Sequence, residues 1–192
     1  DALGAAEAYL PENGVLTIAL PLSAARVGGL STRSTHPKVV ALLNDLARQG
    51  GLTGALTNPF TYQTKAEIIA DILRPVLSPF DLQRTVSCWA TGRSARQCGG
   101  CVACLVRRLA MLAAGLPDEA YELDVLHNPD TARGTDAYAN LVDLLGLCAA
   151  FRLQPDHTLL ATSPELLDSA ACGVSLPEAL SLYRRFGEEV WR

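Results

Sequence analysis

No uninterrupted apolar run in this chain approaches the roughly 20 residues that a membrane-crossing helix needs. Its opening residues show no basic-then-apolar pattern of the kind that directs secretion. Positive charge is also scarce. Lys and Arg number 16 against 20 Asp and Glu, a net charge of −4, and a general nucleic-acid binder would need a basic face that this balance does not supply. What remains is a chain of 192 residues, 49% hydrophobic and 19% charged, long enough for one domain with a proper core or for one domain with a small appendage.

Cysteine is present and unevenly spread. Four of the six cysteines, Cys88, Cys98, Cys101 and Cys104, fall in the stretch SCWATGRSARQCGGCVACL, with nine, two and two residues between successive members. Each two-residue gap lets neighbouring sulfurs converge and the longer gap supplies a returning loop, so four thiolates can close a tetrahedral shell around one metal ion. Gly99 and Gly100 suit a backbone that wraps a metal, because glycine tolerates positive φ and close approach. Disulfides are disfavoured, since close partners would strain the short loops between them. Spacing leaves an iron–sulfur cluster open, but closed four-thiolate sites favour structural zinc. A closed shell has no vacant coordination position and therefore staples the chain without catalysing. Cysteines clustered for metal point to a reducing cytoplasm. Cys148 and Cys172 stand alone and are expected as buried small hydrophobes.

Residues 1–10 are expected to end a helix, stopped by the turn cluster Pro11-Glu12-Asn13-Gly14, and Val15 to Leu20 to form a strand of a parallel sheet. Ser31, Thr32, Arg33, Ser34, Thr35 and His36 then set cations and hydroxyls before a helix start. That arrangement fits an oxyanion or phosphate site; equally, Thr35 caps the helix and Arg33 is solvated. The apolar spacing predicts a helix over Pro37 to Arg48, ended by Gly50-Gly51, and a strand over Leu52 to Thr57 that delivers Asn58 and Pro59 to the carboxyl edge of the sheet.

Thr64-Lys65-Ala66-Glu67 has the pattern of a capping box, which accounts for Thr64 and Glu67 but not for Lys65, a cation set against the helix dipole. An anion nearby would explain it. A second helix should start near Cys101 with Leu105, Leu109 and Ala113 facing inward. Trp89 either stacks on a planar purine-like ligand or shields the metal. Arg93, Arg96, Arg107 and Arg108 make the one local basic cluster. Beyond Gly115 the chain is a helical tail, with Thr135 to Phe151 one helix, another opened by Ser163-Pro164-Glu165, and a capping box at Ser175-Leu176-Pro177-Glu178 leading into a last one over Ala179 to Trp191. His127 and His157 are placed in loops without partners.

TNPFTYQTKAEI (residues 57–68), the SCW at 87–89 and CGGCVACLVRR (residues 98–108) together resemble, in order, spacing and residue type, the C-terminal half of the QueC family of ATP-dependent 7-cyano-7-deazaguanine synthases. PENGVLTIALPLSAARVGGLSTRSTHP (residues 11–37) looks closer still to the QueC-like QatC proteins of antiphage defence operons. The resemblance implies an α/β fold: the C-terminal part of a Rossmann-like PP-loop (adenine nucleotide alpha hydrolase-like) domain over residues 1–115 with a four-cysteine zinc loop at 88–104, followed by an α-helical extension over 116–192. It implies Lys65 as a catalytic cation near nucleotide phosphates, and leaves Ser31, Arg33, His36 and Trp89 as candidate substrate contacts. ATP with Mg2+ and a 7-deazapurine substrate are the implied small molecules, and the helical tail is a candidate surface for protein partners. One departure stands out. PP-loop enzymes hold ATP phosphates on an SGGxDS run, and the Gly pairs at Gly28, Gly50 and Gly99 are not followed by Asp-Ser. Residues 1–192 are therefore expected to be the C-terminal portion of a longer enzyme, inactive alone. A non-catalytic zinc-stapled interaction module is the competing expectation.

Overall fold

A computed structural model describes residues 7–22, 34–90, 96–118 and 121–191. They fall into two compact units, Asp1–Gln63 with Gln154–Tyr183, and Thr64–Leu153 with Arg184–Arg192. The described residues are mostly helical, with a two-stranded parallel sheet.

In the first unit, strand β1 (Glu7–Tyr9) pairs in parallel with β2 (Ala55–Thr57), placing Ala8 opposite Leu56. Residues 7–9 are thus a strand, where a helix end was expected; pairing with β2 overrides the helical preference of an alanine-rich run, and Leu10 N continues the ladder to Thr57 O at 2.8 Å. The expected strand at Val15–Leu20 is instead α1 (Gly14–Ile18). Asn13 accounts for the change: its side chain accepts from Leu16 N at 3.2 Å, and its carbonyl accepts from Thr17 N at 2.9 Å to close the first turn. Val15 and Ile18, three apart, face the core. A short apolar run does not by itself tell a strand from one buried helical turn.

Helix α2 (Pro37–Gln49) ends at Gly50-Gly51 as expected, with Gly51 at φ 76°. None of its residues is fully buried, and Leu42, Leu43 and Leu46 are 44–66% exposed. Its Asn44 side chain donates to Leu56 O at 2.9 Å and accepts from Leu56 N at 2.7 Å, standing in for a strand partner along β2. The C-terminal helices of this unit are α7 (Asp156–Thr162), α8 (Glu165–Ala171) and the first part of α9 (Leu176–Val190). His157 therefore lies in a helix, which corrects its assignment to a loop. Tyr183 Oη donates to Val15 O at 3.1 Å and accepts from Leu20 N at 3.3 Å, tying α9 to both ends of α1.

The second unit begins with α3 (Lys65–Glu67), which widens into a π-helical stretch over Ile68–Leu73; Arg74 N reaches back five residues to Ile69 O at 2.9 Å. Helix α4 (Pro79–Arg84) and α5 (Val102–Ala113) follow, with Ala66, Ile69, Leu82, Ala110 and Met111 forming the core between them. Leu105 is buried as expected. Leu109 is only partly buried and Ala113 is exposed, because the inward stripe of α5 runs through Cys104, Arg107, Arg108 and Met111. Helix α6 (Asp136–Leu153) packs against the last turns of α9, where Gly187 lies against Cys148 O and Arg184 donates to Phe151 O at 2.6 Å. Cys148 is buried as expected; Cys172 is only partly so.

Candidate metal centre

The four cysteine sulfurs of Cys88, Cys98, Cys101 and Cys104 all lie within 4.8 Å of one another. Cys98 Sγ and Cys104 Sγ are 3.8 Å apart, which matches the edge of about 3.8 Å expected for a tetrahedron with metal–sulfur bonds of ~2.3 Å. All six cysteines are free thiols, so no disulfide competes for these sulfurs. Local folding explains the convergence. Cys101 is the N-cap of α5, its sulfur accepting from Cys104 N at 3.4 Å, and Cys104 sits one turn inside that helix. Gly99 lets the loop turn at φ 81°, and a Cβ there would overlap Leu123 O.

Backbone N–H groups point at the sulfurs. Cys88 Sγ accepts from Ala90 N and Cys98 N, both at 3.3 Å, and Cys98 Sγ accepts from Cys101 N at 3.4 Å. Such bonds favour thiolate, the form that binds metal. The hydrogen bond from Cys104, with the backbone N–H groups of Trp89 and Cys104, brings the Cys101 thiol down to about 5. That same bond and burial push Cys104 up, and burial pushes Cys98 up. A divalent cation would replace the protons that these sulfurs otherwise share. The donor set is soft and closed, so it suits zinc or another thiophilic metal held as a staple.

Lys65 and Ser87 meet next to this loop, with Lys65 Nζ donating to Ser87 Oγ at 3.1 Å. The capping box forms as expected: Glu67 N donates to Thr64 Oγ1 at 3.1 Å and Thr64 N to Glu67 Oε2 at 2.8 Å. The Trp89 ring is 56% exposed. His36 is in the first unit, buried, and caps α2 by accepting Lys38 N on Nδ1 at 3.2 Å, the role expected of Thr35. Ser31, Arg33 and Arg93 lie outside the described residues.

Arg107 and Arg108 do not form a surface basic cluster; they are 3% and 1% exposed. Arg107 Nη2 donates to Leu82 O and Gln83 O at 3.1 and 2.9 Å, closing the end of α4. Arg108 pairs with Asp118 at 2.6 Å and Asp124 at 2.5 Å, and its guanidinium lies 4.5 Å from the centre of the Tyr121 ring. The Arg108 hydrogen bond holds the Asp124 carboxyl at about 2. His127, expected to lack a partner, has its Nδ1 2.9 Å from Asp124 Oδ1. The signal for these buried arginines was their position three and four residues after Cys104, on the inward side of its helix. Asn140, which donates to Gly100 O at 2.9 Å, was also missed; a polar residue at the head of the apolar stripe Leu141-Leu144 was its mark.

Comparison with known proteins follows the same stretch. The family model described as "Queuosine biosynthesis protein QueC" matches residues 6–115. A 7-cyano-7-deazaguanine synthase of Thiobacillus denitrificans is 31% identical over 129 residues, 57% of this chain and 56% of that protein. Proteins of the same name from Paracoccus denitrificans and Rhizobium meliloti are 40% and 42% identical over 81 and 76 residues, covering 42% and 40% of this chain and 33% and 30% of theirs. The chain thus spans about half, or less, of the curated relatives it matches. No solved structure matches it. The family match takes in the capping box at Thr64, all four clustered cysteines and more than half of the chain, and on that ground the protein belongs to the QueC family.

Proposed function

We propose that this chain is the metal-bearing C-terminal portion of a QueC-like ATP-dependent enzyme acting on a 7-deazaguanine-type substrate. The observation that carries the proposal is the contact between Lys65 and Ser87, which joins the first turn of α3 to the residue before the metal ligand Cys88. It brings a cation to the border of the stapled loop, where a nucleotide phosphate or an acyl-phosphate could be neutralised. In this scheme a substrate carboxylate attacks the α-phosphorus of ATP and expels pyrophosphate. Ammonia or an amine then attacks the acyl carbon and expels AMP, forming the C–N bond; a second activation at an amide oxygen, with loss of AMP, gives a nitrile. Zinc, held by Cys88, Cys98, Cys101 and Cys104, is structural.

ATP and Mg2+ would be held by a phosphate-binding loop that residues 1–192 do not contain. The exposed leucines of α2 and the exposed residues of β1 are consistent with a parallel sheet that continues with strands from elsewhere, since such sheets are normally covered on both faces. Ser31, Arg33, His36 and Trp89 are proposed substrate contacts. A cytoplasmic enzyme of the QatC type, directing the same activation to another acceptor in antiphage defence, with partners docked on the helices after residue 115, is the specific form of this proposal. Among the described residues no helix is long and apolar enough to cross a membrane.

The test uses the complete gene product with ATP and a 7-deazaguanine carboxylate. AMP release is expected, and Lys65→Ala should lower turnover by ~100-fold, the scale on which removing one charge-stabilising group acts, while leaving the melting midpoint in place. Zinc binding without AMP release would favour a stapled interaction module.

A further inference from the structure

The peptide units of the metal loop are held from both sides. Between Gln97 and Cys98, the carbonyl accepts from Glu122 N at 3.0 Å and the N–H donates to Cys88 Sγ at 3.3 Å. The Cys98 carbonyl accepts from Leu123 N at 3.2 Å. The Gly99 carbonyl accepts from Arg108 Nη1 at 3.5 Å. Between Gly100 and Cys101, the carbonyl accepts from Asn140 Nδ2 at 2.9 Å and the N–H donates to Cys98 Sγ at 3.4 Å.

A trans peptide is planar, with its C=O and N–H pointing in opposite directions. Fixing the oxygen therefore fixes where the N–H points. In the Gln97–Cys98 and Gly100–Cys101 units the oxygen is bonded to an anchor and the N–H to a sulfur, while the Cys98 and Gly99 oxygens between them are held by Leu123 N and Arg108. The anchors are themselves fixed: Arg108 by Asp118 and Asp124, Asn140 by burial in α6. Glu122, Leu123, Asp118, Asp124 and Asn140 all lie beyond residue 115, past the segment that the family model matches.

We propose that Arg108, Asn140 and the segment 121–124 form an outer clamp that aims the loop N–H groups at the sulfurs and so sets the geometry and exchange rate of the bound metal. This gives the region after residue 115 a positioning role toward the metal, and it rests on the four cysteines being a metal site. Outer partners of this kind typically change metal affinity by ~10–100-fold when removed.

Asn140→Ala in the complete gene product tests it. The Co2+-loaded variant should show shifted sulfur-to-cobalt charge-transfer and ligand-field bands, and the Zn2+-loaded variant should release metal to a chromophoric chelator ~10–100-fold faster than the parent. Arg108→Lys, which keeps a charge for Asp118 but loses the planar fork, is the second variant and should move both readouts in the same direction. Band positions report the bound, folded state, so lost stability alone does not move them. Superimposable spectra and unchanged release, even with a lower melting midpoint, would overturn the clamp. A parent chain with no sulfur-to-cobalt transition would overturn the metal reading beneath it, which is a separate and distinguishable failure.

Discussion

At Gly100 a single methyl group separates a closed loop from an overlap, because a Cβ there would collide with Ala137 in α6. Gly100→Ala should therefore cost about 1–3 kcal/mol, the usual range for overpacking, seen as a lower melting midpoint of the metal-loaded chain; an unchanged midpoint would mean that α6 can retreat freely. Asp124 gives a pH dependence. Its carboxyl is lowered from the ordinary 3.8 to about 2, first by the Arg108 hydrogen bond. A depressed pKa means that its contribution is complete above the unfolded value and is lost as pH falls through the folded one. Asp124→Asn should thus flatten the acid-unfolding curve between about pH 4 and pH 2, and a curve identical to the parent's would show that the pair adds nothing there. At this scale the sequence revealed which four cysteines converge, because cysteines at that spacing suit one shared centre. It did not reveal Arg107 and Arg108 as buried, because sequence spacing gives the face of a helix and not the depth of what covers that face. Their cover comes from Asp118, Tyr121 and Asp124, whose return to the loop follows no local period.

Among the elements, α3 has the most explicit start signal, and the structure forms both halves of its capping box. The Thr64 hydroxyl also reaches Glu189 at 2.5 Å, so one side chain serves the helix start and the last turns of α9. Thr64→Ala should lose about 1–2 kcal/mol in denaturant unfolding; retention of the parent midpoint would show that Glu67 alone suffices. Helices at 37–49, 102–113, 136–153 and 176–190 were legible from apolar spacing and their start and stop residues. The segments 7–9 and 14–18 were not. The first is a strand only because β2 lies beside it, and the second is a helix because Asn13 caps it within an apolar run equally suited to a strand. Short elements take their conformation from such partners and caps, whereas long ones announce it in their own periodicity.

For the whole molecule, the four-cysteine cluster is the feature to which most of the second unit is tied: α5 through Cys101 and Cys104, the segment 121–124 through its backbone, and α6 through Asn140. Opening one ligand should therefore be felt across that unit. Cys98→Ser is expected to strip hydrogen-exchange protection from residues 88–110, because structural metal contributes directly to folding free energy; parent-like protection would show that the thiols are packing groups alone. The most direct measurement is the metal content of the purified chain by elemental analysis, paired with thiol titration. One zinc per chain is expected, with the thiols of Cys88, Cys98, Cys101 and Cys104 blocked until a chelator removes it. A metal-free, fully folded chain whose thiols in that loop all react without chelator would contradict it.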